Sequence, residues 1–186
     1  FMEQFNSEKN GTLMMLEPKI TCGKTAVYSS KHEKLEDLPD NAQVTFASDS
    51  ANKDRSLKIL EEMGLIKLAE TPAVGAYYTI EDVVENPKNL ELVEVPAPQV
   101  PATLADADMI VVYNPNMIHG GYDTSNPWFI EESPLTYAQG LVINKTHENE
   151  PWVQDVLKAY TSDETKAALE KINQGDFEIV FDMPQE

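Results

Sequence analysis

A single cysteine, Cys22, occurs in the 186 residues, so no internal disulfide can form. A single arginine, Arg55, occurs as well, and lysine supplies all the other fixed positive charge. Lysine and arginine together number 14 against 32 aspartates and glutamates, for a net charge of −18. That balance argues against nucleic acid or an anionic membrane surface as a partner, because both would be repelled. The three histidines, His32, His119 and His147, are scattered. Zinc sites need three or four converging ligands, so no metal site is expected, and no cofactor. No apolar run reaches the roughly 20 residues that cross a bilayer. GxSxG, GxGxxG, P-loop, HExxH and CxxC motifs are all missing, and no serine nucleophile has a nearby base. An enzyme is therefore not expected.

What is present is an ordinary globular composition, 41% hydrophobic, in a chain long enough for one domain or two small lobes. "FMEQFNSEKNGTLMML" reads as the end of an amphipathic helix and a turn at Asn10-Gly11. Short strands follow at 24–30 and 42–47, the second with alternating faces. A helix capped by Asp49 or Ser50 carries Leu57, Leu60 and Met63 and ends at Gly64. "YTIEDVVENP" suggests a short helix with a capping box at Thr79 and Asp82. A strand at 90–95, a helical "PATLAD" and a buried strand at 107–113 come next. After a loop "NPNMIHGGYDTSNP", residues 139–144 read as another buried strand. Two helices follow, the second with a capping box at Thr161 and Glu164, and then a short strand "FEIVFD". Alternating strands and helices indicate an α/β fold with a parallel or mixed sheet.

One constellation invites chemistry. A strand leads into "SDSANKDR" and a helix, and a second loop, "YNPN", follows another apolar strand. Ligands of open α/β sheets bind beyond the carboxyl ends of strands, where a helix N-terminus offers N–H groups to an anion. Arginine adds a planar fork that takes both carboxylate oxygens. On spacing alone, Arg55 is equally well read as half of a surface ion pair with Asp54, Glu61 or Glu62. Acids such as Asp106, Asp108, Glu131 and Glu132 read as solvated, and "KHEK" at 31–34 as a solvated turn. Trp128, Phe129 and Trp152 read as packing residues.

The runs "VYSSKHEKLEDLPDNAQVTFASDSANKDRSLKILEEMGLIKL", "DVVENPKNLELVEV", "NPN" after an apolar strand, "EESP" and "YTSDETKAALEK" stand in this order along the chain. Together they resemble the NlpA-type lipoproteins, the methionine-binding components of bacterial ABC importers. The resemblance is collinear over essentially the whole chain. The family pattern Asp-x-x-Asn-x-x-Arg falls on Asp49, Asn52 and Arg55, which implies that Arg55 binds the carboxylate of an amino-acid ligand. The family Asn-Gly-Asn falls on Asn114-Pro115-Asn116, which implies a ligand contact from Asn114 or Asn116. A further family asparagine falls on Gln139 if Leu135-Thr136 are an insertion, or on Tyr137 without a gap, and Gln139 is preferred because it then precedes the strand "GLVIN" in register. Phe1 falls on the last aromatic of the methionine side-chain pocket.

The resemblance implies an α/β, periplasmic-binding-protein-like (type II) fold with two lobes and two crossovers. Residues 1–28 would end lobe 1 and form the first hinge strand, 29–136 would form lobe 2, and 137–186 would return to lobe 1. Lobe 1 is expected to be incomplete at its N-terminus, because the family's lipobox cysteine and first strand–helix–strand precede residue 1. An incomplete lobe is expected to favour homodimerisation or exchange. The implied function is an extracytoplasmic, lipid-anchored substrate-binding lipoprotein of an ABC importer. It would take a methionine-like amino acid by hinge closure and deliver it to the membrane permease. A relative of the same fold that has lost ligand binding and serves as a surface module is the alternative. Asn-Pro-Asn in place of Asn-Gly-Asn is expected to stiffen the loop.

Overall fold

In the computed structural model, residues 2–73, 77–132, 134–175 and 177–183 are described. The elements run α1 (Met2–Lys9), β1 (Leu13–Met15), β2 (Thr21–Cys22), β3 (Thr25–Tyr28), β4 (Gln43–Ala47) and α2 (Ser50–Glu62). Then come β5 (Lys67–Leu68), β6 (Val83–Glu85), β7 (Glu91–Val95), β8 (Met109–Tyr113), α3 (Asn114–His119) and β9 (Phe129–Ile130). The chain finishes with β10 (Val142–Asn144), α4 (Pro151–Tyr160), α5 (Asp163–Ile172) and β11 (Glu178–Ile179). It divides into two compact units, one of residues 1–23 with 133–186 and one of residues 24–132.

The unit of residues 24–132 is built on a five-stranded mixed sheet in the order β7-β4-β8-β3-β9. β4 is parallel to both β7 and β8, while β3 runs antiparallel to β8 and β9. The run "MIVVY" is continuously apolar because both faces of β8 are covered. Met109 and Val111 join Val44, Phe46 and Val27 under α2, which contributes Leu57, Ile59 and Leu60. Ile110 and Val112 point the other way, with Ala26, Tyr28 and Ala47, toward Val100, Ala107 and Met117. Side chains in a strand alternate between faces, so a two-sided core consumes every residue of the run. For the same reason β4 is buried at Val44, Thr45, Phe46 and Ala47 and does not show the expected one-sided alternation.

Other expectations are corrected locally. "YTIEDVVENP" makes only one 3-10 turn, Ile80–Asp82, because its capping box closes on Asp82 and the β-branched Val83 and Val84 then extend as β6. The loop expected after β8 opens with a helix: α3 starts at Asn114 with Pro115 in its first turn, where proline has no N–H to lose, and the chain is irregular only from Gly120. Pro115 therefore starts a helix and does not stiffen a loop. Asp49 caps α2, its carboxylate accepting from the Asn52 N–H at 3.1 Å. Gly64 ends the helix at φ 72°, a left-handed conformation that suits glycine.

In the unit of residues 1–23 and 133–186, β1 pairs antiparallel with β10 and β2 with β11. β10, expected to be buried, is half exposed, with Val142 and Asn144 facing out, because it has only β1 beside it. The cap of α5 falls one residue later than expected, on Ser162, whose hydroxyl accepts from the Thr165 N–H at 3.2 Å. Cys22, Ala138 and Val180 form a small core there.

Candidate functional site

The carboxyl ends of β4, β8 and β9 and the start of β3 lie along one edge of the five-stranded sheet, as their registers require. Each delivers a polar group there. β4 leads to Asp49 and α2, and β8 leads to Tyr113 and Asn114. β9 leads to Glu131, and β3 begins at Thr25. This is the edge at which open α/β sheets bind ligands.

Arg55 lies in the second turn of α2 and is only 5% exposed. Its Nε donates to Glu131 Oε2 at 2.9 Å and to Oε1 at 3.1 Å, and its Nη2 donates to Oε2. The guanidinium carbon stands 5.9 Å from the centre of the Tyr113 ring, within reach of a cation–π attraction. Glu131, 9% exposed, also accepts from the Thr25 N–H at 3.3 Å, while its own N–H donates to the Thr25 carbonyl at 3.0 Å. Neither the surface-pair reading of Arg55 nor the solvated reading of Glu131 holds. The pair is buried and links residues 76 apart in sequence. Two charges are held out of water because each satisfies the other and the Thr25 N–H adds a further donor to the carboxylate.

The other expected site residues divide. The Asn52 amide donates to both carboxylate oxygens of Asp49, at 3.1 and 3.0 Å, and so braces the first turn of α2. Asn114 lies at the same sheet edge, where its Oδ1 accepts from the Tyr28 hydroxyl at 2.6 Å. Burial, and then the charge of Asp123, push the Tyr28 phenol up to about 12, so it stays a donor. Asn116 is turned to the scaffold, its amide donating to the Ala97 carbonyl at 3.2 Å. Gln139 belongs to the other unit, where its backbone bridges Thr21. Phe1 lies outside the described residues.

Sequence reasoning missed Glu131, Tyr113, Tyr28 and Thr25. Glu131 gave one faint signal: an acid directly after the apolar pair Phe129-Ile130, at a strand end. Asp108, also read as solvated, accepts from the Gln43 N–H at 2.9 Å and lies 3.2 Å from His32 Nε2. His32 and Lys31 are thereby tied to Asp108, the residue before β8, and do not form a free surface turn. Trp128 and Phe129 pack on the core under α2, as read, whereas Trp152 is 43% exposed.

A profile of the NlpA lipoprotein family matches residues 1–181. The D-methionine-binding lipoprotein MetQ of Escherichia coli is 38% identical over 153 residues, which is 81% of this chain and 56% of MetQ. The chain thus spans little more than half the length of that relative. A nutrient-binding protein from Burkholderia cenocepacia, solved bound to methionine, is 28% identical with a TM-score of 0.83, over 96% of this chain and 75% of that one. A YaeC-family lipoprotein from Enterococcus faecalis is 30% identical with a TM-score of 0.87, over 97% of this chain and 75% of that one. No helix among the described residues is long and apolar enough to cross a membrane. With its two-unit α/β fold of the periplasmic-binding-protein kind, the chain belongs to the NlpA lipoprotein family.

Proposed function

We propose that this chain is the ligand-binding part of an extracytoplasmic substrate-binding lipoprotein of an ABC importer, and that it takes an α-amino acid, methionine or a close analogue. The observation that carries the reading is the buried guanidinium of Arg55, braced by Glu131 and Tyr113 at the ligand-binding edge of the sheet. A buried guanidinium whose Nε and Nη2 are already held by Glu131 is a pre-organised carboxylate receptor, and that pre-organisation lowers the entropy lost on binding. Asn114, braced by Tyr28 at the same edge, adds an amide that can meet the polar end of the ligand. One relative is named for D-methionine binding and another was solved bound to methionine, which supplies the ligand class.

On this reading the two chain crossings, at 23/24 and 132/133, serve as the hinge of a ligand-driven population shift that the permease recognises. No bond is made or broken, so the protein is a binding component and not an enzyme. Titration calorimetry with L- and D-methionine tests the proposal. Saturable binding is expected, with Arg55→Lys weakening it at least about tenfold, because an ammonium cannot reproduce the planar fork. Absence of binding by the unaltered chain, or unchanged affinity in Arg55→Lys, refutes it.

A further inference from the structure

We infer that Glu131 sets the ligand class of the Arg55 site, admitting zwitterionic α-amino acids and rejecting carboxylates that lack an ammonium group. This rests on the amino-acid reading above and adds a specificity-determining residue to it. Arg55 and Glu131 together sum to zero in a region only 5% and 9% exposed. The other cations of α2 do not tip that balance: Lys53 is held by Glu94 at 2.7 Å and Lys58 by Asp54 at 2.8 Å.

A ligand with a carboxylate and no ammonium would leave one uncompensated negative charge beside Glu131, where little water screens it. A zwitterion adds no net charge. Its ammonium can sit close enough to Glu131 to offset the repulsion on its own carboxylate. Glu131 cannot move aside cheaply, because its carboxylate is pinned by Arg55 Nε and by the Thr25 N–H, and its backbone is bonded to Thr25. Specificity here comes from a repulsive element built against the wrong ligand, and a bare carboxylate receptor would not need one. The chain's net charge of −18 acts in the same direction.

The test compares L-methionine with 4-(methylthio)butanoate, which keeps the side chain and the carboxylate and replaces the ammonium with hydrogen. Calorimetry of the unaltered chain is expected to favour methionine by about 100-fold or more. Glu131→Gln keeps an acceptor for Arg55 Nε and removes the charge. It is expected to compress the ratio at least about tenfold, with tighter binding of the desamino acid contributing. Methionine binding with the ratio unchanged in folded Glu131→Gln overturns the role of Glu131 alone. No methionine binding by the unaltered chain overturns the amino-acid reading, and this inference with it.

A second measurement needs no variant. Arg55 is the only arginine, so nitrogen-15 spectra contain one arginine Nε–H signal, assigned without further work. That proton is expected to exchange slowly and to remain hydrogen-bonded through a methionine titration. Its release on methionine addition would mean that the ligand displaces Glu131, which overturns the inference.

Discussion

Replacing Glu131 with alanine leaves the Arg55 guanidinium almost wholly buried without its carboxylate, and it strips the Thr25 N–H of an acceptor. Removing one partner of a buried ion pair costs about 3–5 kcal/mol, because the remaining charge stays desolvated. Against a whole-domain stability of roughly 5–15 kcal/mol, that is a large share. With a urea dependence of about 2 kcal/mol per molar, the unfolding midpoint should fall by about 1.5–2.5 M. Tryptophan fluorescence can follow it. Trp128 packs on the core under α2, whereas Trp152 is exposed in the other unit, so a Trp152→Phe background isolates the relevant signal. The paired change Arg55→Met with Glu131→Leu should recover most of the loss, since replacing a whole buried pair by apolar groups of similar size is often neutral. A midpoint shift below about 0.5 M for Glu131→Ala would refute the buried-pair account. Failure of the paired change to recover stability would place the cost in shape and not in charge.

Tyr28 supplies an alkaline prediction. Its folded pKa is raised from 10.0 to about 12, by burial first and Asp123 second, so its contribution is complete below pH 10.0 and lost as pH rises toward 12. Tyr28→Phe should flatten that loss in an unfolding series across the window. Asp108 supplies the acid counterpart. Its carboxyl is held below the ordinary 3.8, chiefly by the Gln43 N–H and then by His32 and Lys31. That stability is present above 3.8 and disappears as pH falls through the lower folded value, so Asp108→Asn should blunt the acid limb of the stability profile. Asp49→Ala removes the cap of α2 and frees the Asn52 amide, and should cost about 1 kcal/mol in thermal unfolding.

The elements most legible in the sequence were those whose signals are local. Asp49, Leu57, Leu60 and Gly64 mark a helix without reference to anything else in the chain, and α2 follows them closely. "ADMIVVY" announced a doubly covered strand because only a core with two faces uses every residue of such a run. The misreadings share a cause as well. Asn114-Pro115-Asn116 looks like a turn by composition, yet its proline fits the first turn of α3. The β-branched Val83 and Val84 outweigh the capping box that precedes them.

By itself the sequence determined the α/β class, the positions of most strands and helices, the family resemblance and the choice of Arg55 as the residue to watch. Periodicity, capping and turn chemistry act between near neighbours, and a lone arginine is visible in any composition. Only the tertiary structure decided what surrounds that arginine. Glu131 stands 76 residues away and reaches Arg55 because β9 pairs with β3, β3 with β8 and β8 with β4, which brings four strand ends and α2 to one edge. An acid beside a strand end reads as solvated until the sheet closes over it. Once buried, it must be paired, and that requirement connects the two charges.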